Sequence, residues 1–207
     1  MNQEEDMPTF APIFGAQWQA LPPALRAHYA NRPYSRDVVT VTGKMTLKRS
    51  LWMRLLSPLL RMANALVPYD GEDIPVTVHY RSEPHSTAYC FDRLFHFEGR
   101  APYRFRSRML PGGGSRMIDF MRFNIGWRGM YHYEDGKVRL RHAGYVWRLG
   151  KRDILLPLEW LIGRSDTWEV ATGENSFRMY MEMRHRLFGT LFSYGGDFTV
   201  QDVRYER

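Results

Sequence analysis

The spacing of apolar and polar positions divides the chain near residue 71, with helical periods before it and strand periods after it. In residues 50–67 (SLWMRLLSPLLRMANALV), Ser50, Arg54, Ser57, Arg61 and Asn64 recur at spacings of four and three, a narrow polar stripe on an otherwise apolar helix. Ser57-Pro58 predicts a cap and a break or kink inside it, and Pro68 stops it. So narrow a stripe favours packing in the core. The competing reading is a membrane-surface helix, with Lys48, Arg49, Arg54 and Arg61 meeting anionic head groups. Upstream, Gln17 to Ala30 predicts a short helix opened by Pro22-Pro23. Arg36 to Lys48, rich in Val and Thr, predicts a strand bent at Gly43.

Beyond Gly71 the alternation is almost unbroken. Ile74 to Tyr80, residues 88–98, Tyr103 to Met109, Met117 to Phe123, Trp127 to Tyr133, Val138 to Leu149, Trp168 to Ala171, Phe177 to Arg184 and Leu191 to Tyr205 all read as strands. Asp135-Gly136 marks a hairpin, and Pro157 to Ile162 a helical turn or two. Connections this short leave no room for crossover helices, so the strands are antiparallel. A sheet of this size curls or closes to protect its edges. The expected fold is α+β and predominantly antiparallel β. It is a strongly curved sheet or barrel of about ten strands, with two or three helices packed against it. One domain is expected over residues 13–207, preceded by an unstructured tail at 1–12 whose first six residues are acidic and unpatterned.

The strand at 88–98 is the most informative. Tyr89, Phe91, Phe95 and Phe97 share one face with Arg93 at their centre. A guanidinium in an aromatic row must find an acceptor or a ring face, because burying it alone costs several kcal/mol. Asp119 alternates with Met117, Met121 and Phe123 and so points inward, where it could pair with Arg93. The methionines at 179, 181 and 183 form a second inward row, suited to a pliable apolar cavity. Ordinary core packing explains both rows equally well.

Composition narrows the chemistry. Apolar residues make up 44% of the chain, enough for a core. All but four of the 29 basic residues are arginine, giving a net charge of +7, but they are spread along the chain with no nucleic-acid motif beside them. No nucleic-acid partner is expected. The single cysteine, Cys90, forms no internal disulfide, and neither a leader nor a spanning segment is visible, so the expected compartment is the cytoplasm. None of the seven histidines falls in an H-x-x-x-H pair, so no metal site is expected. Pro111-Gly-Gly-Gly-Ser115 joins two strands, which suits a hairpin loop better than a phosphate cradle.

Near the C-terminus, Gly189 followed by Tyr194-Gly195-Gly196 within RHRLFGTLFSYGGDF resembles the closing motif, a Gly and then a Tyr-x-Gly, of the bacterial family called domain of unknown function 4166. Phe14-Gly15 with Leu21-Pro22, Leu25-Arg26 and His28 is similar to its N-terminal signature. Asp92-Arg93-x-Phe95 is similar to its Trp-x-Arg-x-Phe strand, and Leu156-Pro157-Leu158 to its central Leu-Pro step. The resemblance covers nearly the whole chain. Phe91 stands where a tryptophan is usual, and Arg186-Leu187 where a proline is. The family brings no established activity. Some members are fused to a dehydrogenase-like dinucleotide-binding domain, but no G-x-G-x-x-G follows a strand here, and no cofactor is expected.

These readings converge on a carrier or binding module for an apolar or amphipathic small molecule, with peripheral membrane contact as a further expectation. The expected ligand residues are Arg93, Tyr89, Phe91, Phe95, Asp119, Trp127, Met179, Met181, His185 and Tyr194. Two alternatives stand beside it. One is an enzyme on the same scaffold, with Arg93 and an inward carboxylate or His185 as acid–base groups. The other is a structural or partner-binding domain.

Overall fold

The computed structural model describes residues 6–206. Ten antiparallel strands close into a barrel, and an eleventh lies alongside. In chain order they are β1 (Val38–Arg49), β2 (Gly71–Ser82), β3 (Tyr89–Phe95), β4 (Tyr103–Pro111), β5 (Arg116–Phe120), β6 (Ile125–Glu134), β7 (Lys137–Leu149), β8 (Arg152–Leu156), β9 (Arg164–Ala171), β10 (Ser176–His185) and β11 (Gly189–Arg204). β1 through β7 form a meander, and β9, β10 and β11 complete the ring by pairing back to β1. Besides β6, β7 serves two further neighbours: residues 137–141 pair with β9, and residues 145–149 pair with β8. Closure satisfies the edge groups that an open sheet of this size would expose.

The seam between β1 and β11 depends on two glycines. A Cβ on Gly43 would lie 2.2 Å from the Asp197 carbonyl oxygen, and one on Gly196 would lie 2.0 Å from that of Lys44. Both glycines therefore permit close backbone approach along a pairing whose register shifts between Thr40 and Val41.

Four short helices accompany the barrel: α1 (Ala11–Phe14), α2 (Pro23–His28), α3 (Leu51–Met62) and α4 (Glu159–Ile162). α1 and α2 fill one end, where Phe10 packs on Tyr29, Tyr89 and Tyr131, and His28 on Phe177. α3 and α4 cover the other end, held together by the Trp52 Nε1–H donating to the Leu161 carbonyl at 3.0 Å. The folded region begins earlier than residue 13, since Thr9, Phe10 and Ala11 are already buried. The remainder of the tail expected at 1–12 lies partly outside the described residues.

One expectation for residues 50–67 needs correction, and another holds for one face of the helix only. The helix does not break at Ser57-Pro58. Its cap is Ser50, whose Oγ accepts from the Met53 N–H at 3.3 Å, while the Ser57 hydroxyl donates back to the Met53 carbonyl at 2.9 Å. Pro58 removes one helical hydrogen bond on the exposed face, where water can replace it. The helix packs on the core with one face only: Met53 is fully buried and Trp52, Leu56 and Leu60 pack against the core, while Leu51, Leu55, Leu59 and Met62 are exposed. It ends at Asn64, which takes the left-handed conformation with φ of 48°.

Candidate functional site: an apolar cavity with a guanidinium in its wall

Strand parity turns Tyr89, Phe91, Arg93 and Phe95 of β3 into the barrel, with Phe105 and Ser107 of β4 on the same side. Arg93 sits midway along the barrel. Its guanidinium carbon lies 4.4 Å from the centre of the Phe91 ring and 5.0 Å from that of Phe105, and one N–H donates to the Ser107 hydroxyl at 3.2 Å. Among the described residues no carboxylate comes within 4.0 Å of it. Both ring faces and the hydroxyl stabilise the cation, yet most of its five N–H donors face no protein acceptor.

Arg93 opens into a cavity of about 200 Å³ beneath α3 and α4. Leu59, Leu60 and Leu66 form its lid side, and Trp127, Met181 and Tyr194 its barrel side. Asp119 of β5 also lines it. One oxygen of the Asp119 carboxyl is buried without a hydrogen-bond partner. Burial raises its pKa, and the Arg93 charge and nearby Ser107 hydroxyl draw it only partly back. The cavity thus presents a cation, a carboxyl with raised pKa and the Tyr194 ring, set in an otherwise apolar wall.

A polar chain runs from the cavity wall to α4. Trp127 Nε1–H donates to Nδ1 of His142 at 2.9 Å, which leaves the proton on Nε2 to be donated to Glu159 of α4 at 3.1 Å. Glu159 in turn accepts from Arg164 at 2.8 Å. Burial lowers the His142 pKa, and Glu159 opposes that shift.

Of the ten residues expected from sequence, Arg93, Asp119, Trp127, Met181 and Tyr194 line the cavity. The other five do not. Tyr89 is buried at the α2 end, where its hydroxyl donates to the His28 carbonyl. Phe91 lies under Arg93, and Phe95 stacks on Phe97 in solid core. Met179 is half-buried and lies outside the cavity. His185 is a structural pin: one ring nitrogen meets the Trp160 carbonyl at 3.1 Å and the other accepts from the Leu187 N–H at 3.2 Å. Of the two partners expected for Arg93, an acidic head group or Asp119, the direct pair with Asp119 is absent: no Asp119 oxygen lies within 4.0 Å of the guanidinium, which donates one N–H to Ser107. Sequence reasoning also missed Phe105 and Ser107, although they alternate inward within a strand it recognised.

A second polar group lies behind the cavity. The Tyr29 hydroxyl donates to Glu169 at 2.7 Å, and His28 Nε2 stands 3.8 Å from the same carboxyl. Burial pushes Glu169 up to about 7, while the Tyr29 hydrogen bond and Arg93 restrain the rise. Burial, aided by Arg93, pushes His28 down to about 3, so the neutral ring forms no ion pair with Glu169. Neither residue lines the cavity. Cys90 points out of the barrel toward Glu83, and burial pushes its thiol up to about 12, which removes it as a nucleophile.

A family model described as Domain of unknown function (DUF4166) matches residues 21–198. Neither the curated proteins nor the solved structures contain a match.

Proposed function

The chain belongs to the domain of unknown function 4166 family, and from that premise we propose that its barrel is a binding module for a small amphipathic acid. The supporting observation is Arg93, a guanidinium without an ion-pair partner in the wall of an apolar cavity. A carboxylate head group would complete the charge pair and could accept two parallel N–H bonds. The volume limits the tail. A 150 Å³ apolar cavity accommodates benzene, so about 200 Å³ suits roughly eight to ten heavy atoms. A full-length lipid chain would require α3 to move.

The enzyme alternative has Asp119 as the one carboxyl in the cavity wall, beside Tyr145 and Tyr194, whose hydroxyls burial holds further above their ordinary range, while Glu169 and His28 lie outside it. A single carboxyl beside a cation fits recognition better than acid–base chemistry, which needs two converging groups.

Titration calorimetry with octanoate, octanol and octylamine tests the proposal. Octanoate binds, octylamine does not, and Arg93→Met weakens octanoate at least tenfold. Equal affinity for all three probes, or unchanged octanoate binding by Arg93→Met, would overturn it.

A further inference from the structure

The α3 end of the barrel has the wrong polarity for a surface facing water. Leu51, Leu55, Leu59 and Met62 follow one another at helical spacing on the outer side of α3, with Leu51 76% and Leu55 75% exposed. Trp160 of α4 is 80% exposed, and Leu187 in the turn between β10 and β11 is 82% exposed. These residues form one surface. Trp52 of α3 stacks on Phe188 beside Leu187 at 5.5 Å, and His185 ties that turn to the Trp160 carbonyl. A continuous exposed apolar face of this kind marks a contact site.

The charges bordering the face identify its partner. Arg54 is held by Asp70 and Arg164 by Glu159. Arg61, Arg122 and Arg186 are exposed, and among the described residues none has a carboxylate within 4.0 Å. Arg61 lies on the flank of α3, Arg122 reaches the Met62 carbonyl at 3.5 Å, and Arg186 precedes Leu187. Arginines around an apolar face complement a surface that is negative outside and apolar beneath. A second copy docked by two-fold symmetry would instead bring like charges together.

We propose that this end of the barrel docks on an anionic phospholipid surface, Leu51, Leu55 and Trp160 entering the interfacial layer and Arg61, Arg122 and Arg186 meeting lipid phosphates. The narrow polar stripe of α3 lies along one flank of that contact. The inference does not depend on the cavity having a ligand. It does place the cavity beneath the docked helix, since Leu59 both faces outward and lines the cavity.

Sedimentation of the full chain with vesicles of phosphatidylcholine, alone or mixed with phosphatidylglycerol, tests it. The chain pellets with the mixed vesicles, and added salt weakens the association. Leu51→Gln/Leu55→Gln alters two exposed side chains outside the cavity wall. It preserves the melting curve and lowers partitioning at least tenfold. Arg61→Gln and Arg186→Gln each lower it about fivefold. Three results overturn the proposal: no pelleting with mixed vesicles; unchanged pelleting of the leucine variant, which would mean adhesion through net charge alone; or a dimer in sedimentation velocity that the leucine variant dissolves. Octanoate titration uses no vesicles, so failure here leaves the cavity reading standing, and the reverse holds too.

Discussion

Arg93 and Asp119 line the same cavity without forming an ion pair, although each is the opposite charge nearest to hand on its wall. The guanidinium is held instead by Ser107 and two aromatic faces, and the carboxyl keeps an unpartnered buried oxygen. Two incompletely satisfied groups in one apolar wall lower stability and leave recognition chemistry available.

Arg93→Met therefore separates structural from recognition roles. Replacing an unpaired interior cation with an apolar side chain of similar length is expected to raise stability by about 1–2 kcal/mol while weakening octanoate binding at least tenfold. Thermal and urea unfolding measure the first effect and calorimetry the second. Destabilisation by more than about 2 kcal/mol would make Arg93 a structural residue.

Asp119 gives binding a pH dependence. Its pKa is raised by burial, so a carboxyl that is protonated at low pH becomes charged as pH rises. A protonated Asp119 can donate to a bound carboxylate, whereas an ionised one repels it. Octanoate affinity should fall as pH climbs above the ordinary carboxylate range. Asp119→Asn should flatten that profile; an unchanged profile would exclude Asp119 from ligand contact.

Glu169 gives folding a separate pH dependence. Its folded pKa of about 7 lies above the ordinary 4.5, so between those values the folded state holds the proton more tightly. The Glu169 contribution to stability then falls as pH rises from about 4.5 to about 7, by on the order of 3 kcal/mol, against an opposite rise between about 3 and 6.5 from His28, whose folded pKa is pushed down to about 3. Glu169→Gln should remove the falling contribution, so that urea unfolding curves recorded across the window show stability rising more steeply with pH than in the unaltered chain. Equal slopes in the two chains would assign the pH dependence to other groups.

Gly196→Ala should destabilise the barrel by about 1–3 kcal/mol, because its methyl would meet the Lys44 carbonyl on the neighbouring strand. Gly15→Ala serves as a control of a different kind: there the added Cβ meets nothing within 4 Å, and the strain comes from a positive φ alone. Chemical unfolding of both variants compares packing with backbone strain.

The barrel was legible because period-two alternation over consecutive segments with short turns allows few other arrangements. Arg93 and Asp119 were legible for the same reason, since parity fixes the inward face. β8 escaped notice because its residues are exposed and carry no alternating signature. α3 misled because periodicity located its polar stripe but could not show that the remaining apolar surface wraps both inner and outer sides. Glu169 and Tyr29 stand 140 positions apart, and nothing local announces their contact. Which aromatic residues border the cavity and which fill solid core depends on where the helices cap the ends, and strand parity carries no information about that.

The β1–β11 pairing joins the first strand of the ring to the last. During synthesis on the ribosome, β1 and its successors can form only an open sheet, with Val39 and Val41 uncovered, until β11 emerges. Closure is thus a late event with a large loop entropy to overcome, and the nascent chain depends on holding factors or on speed to escape aggregation.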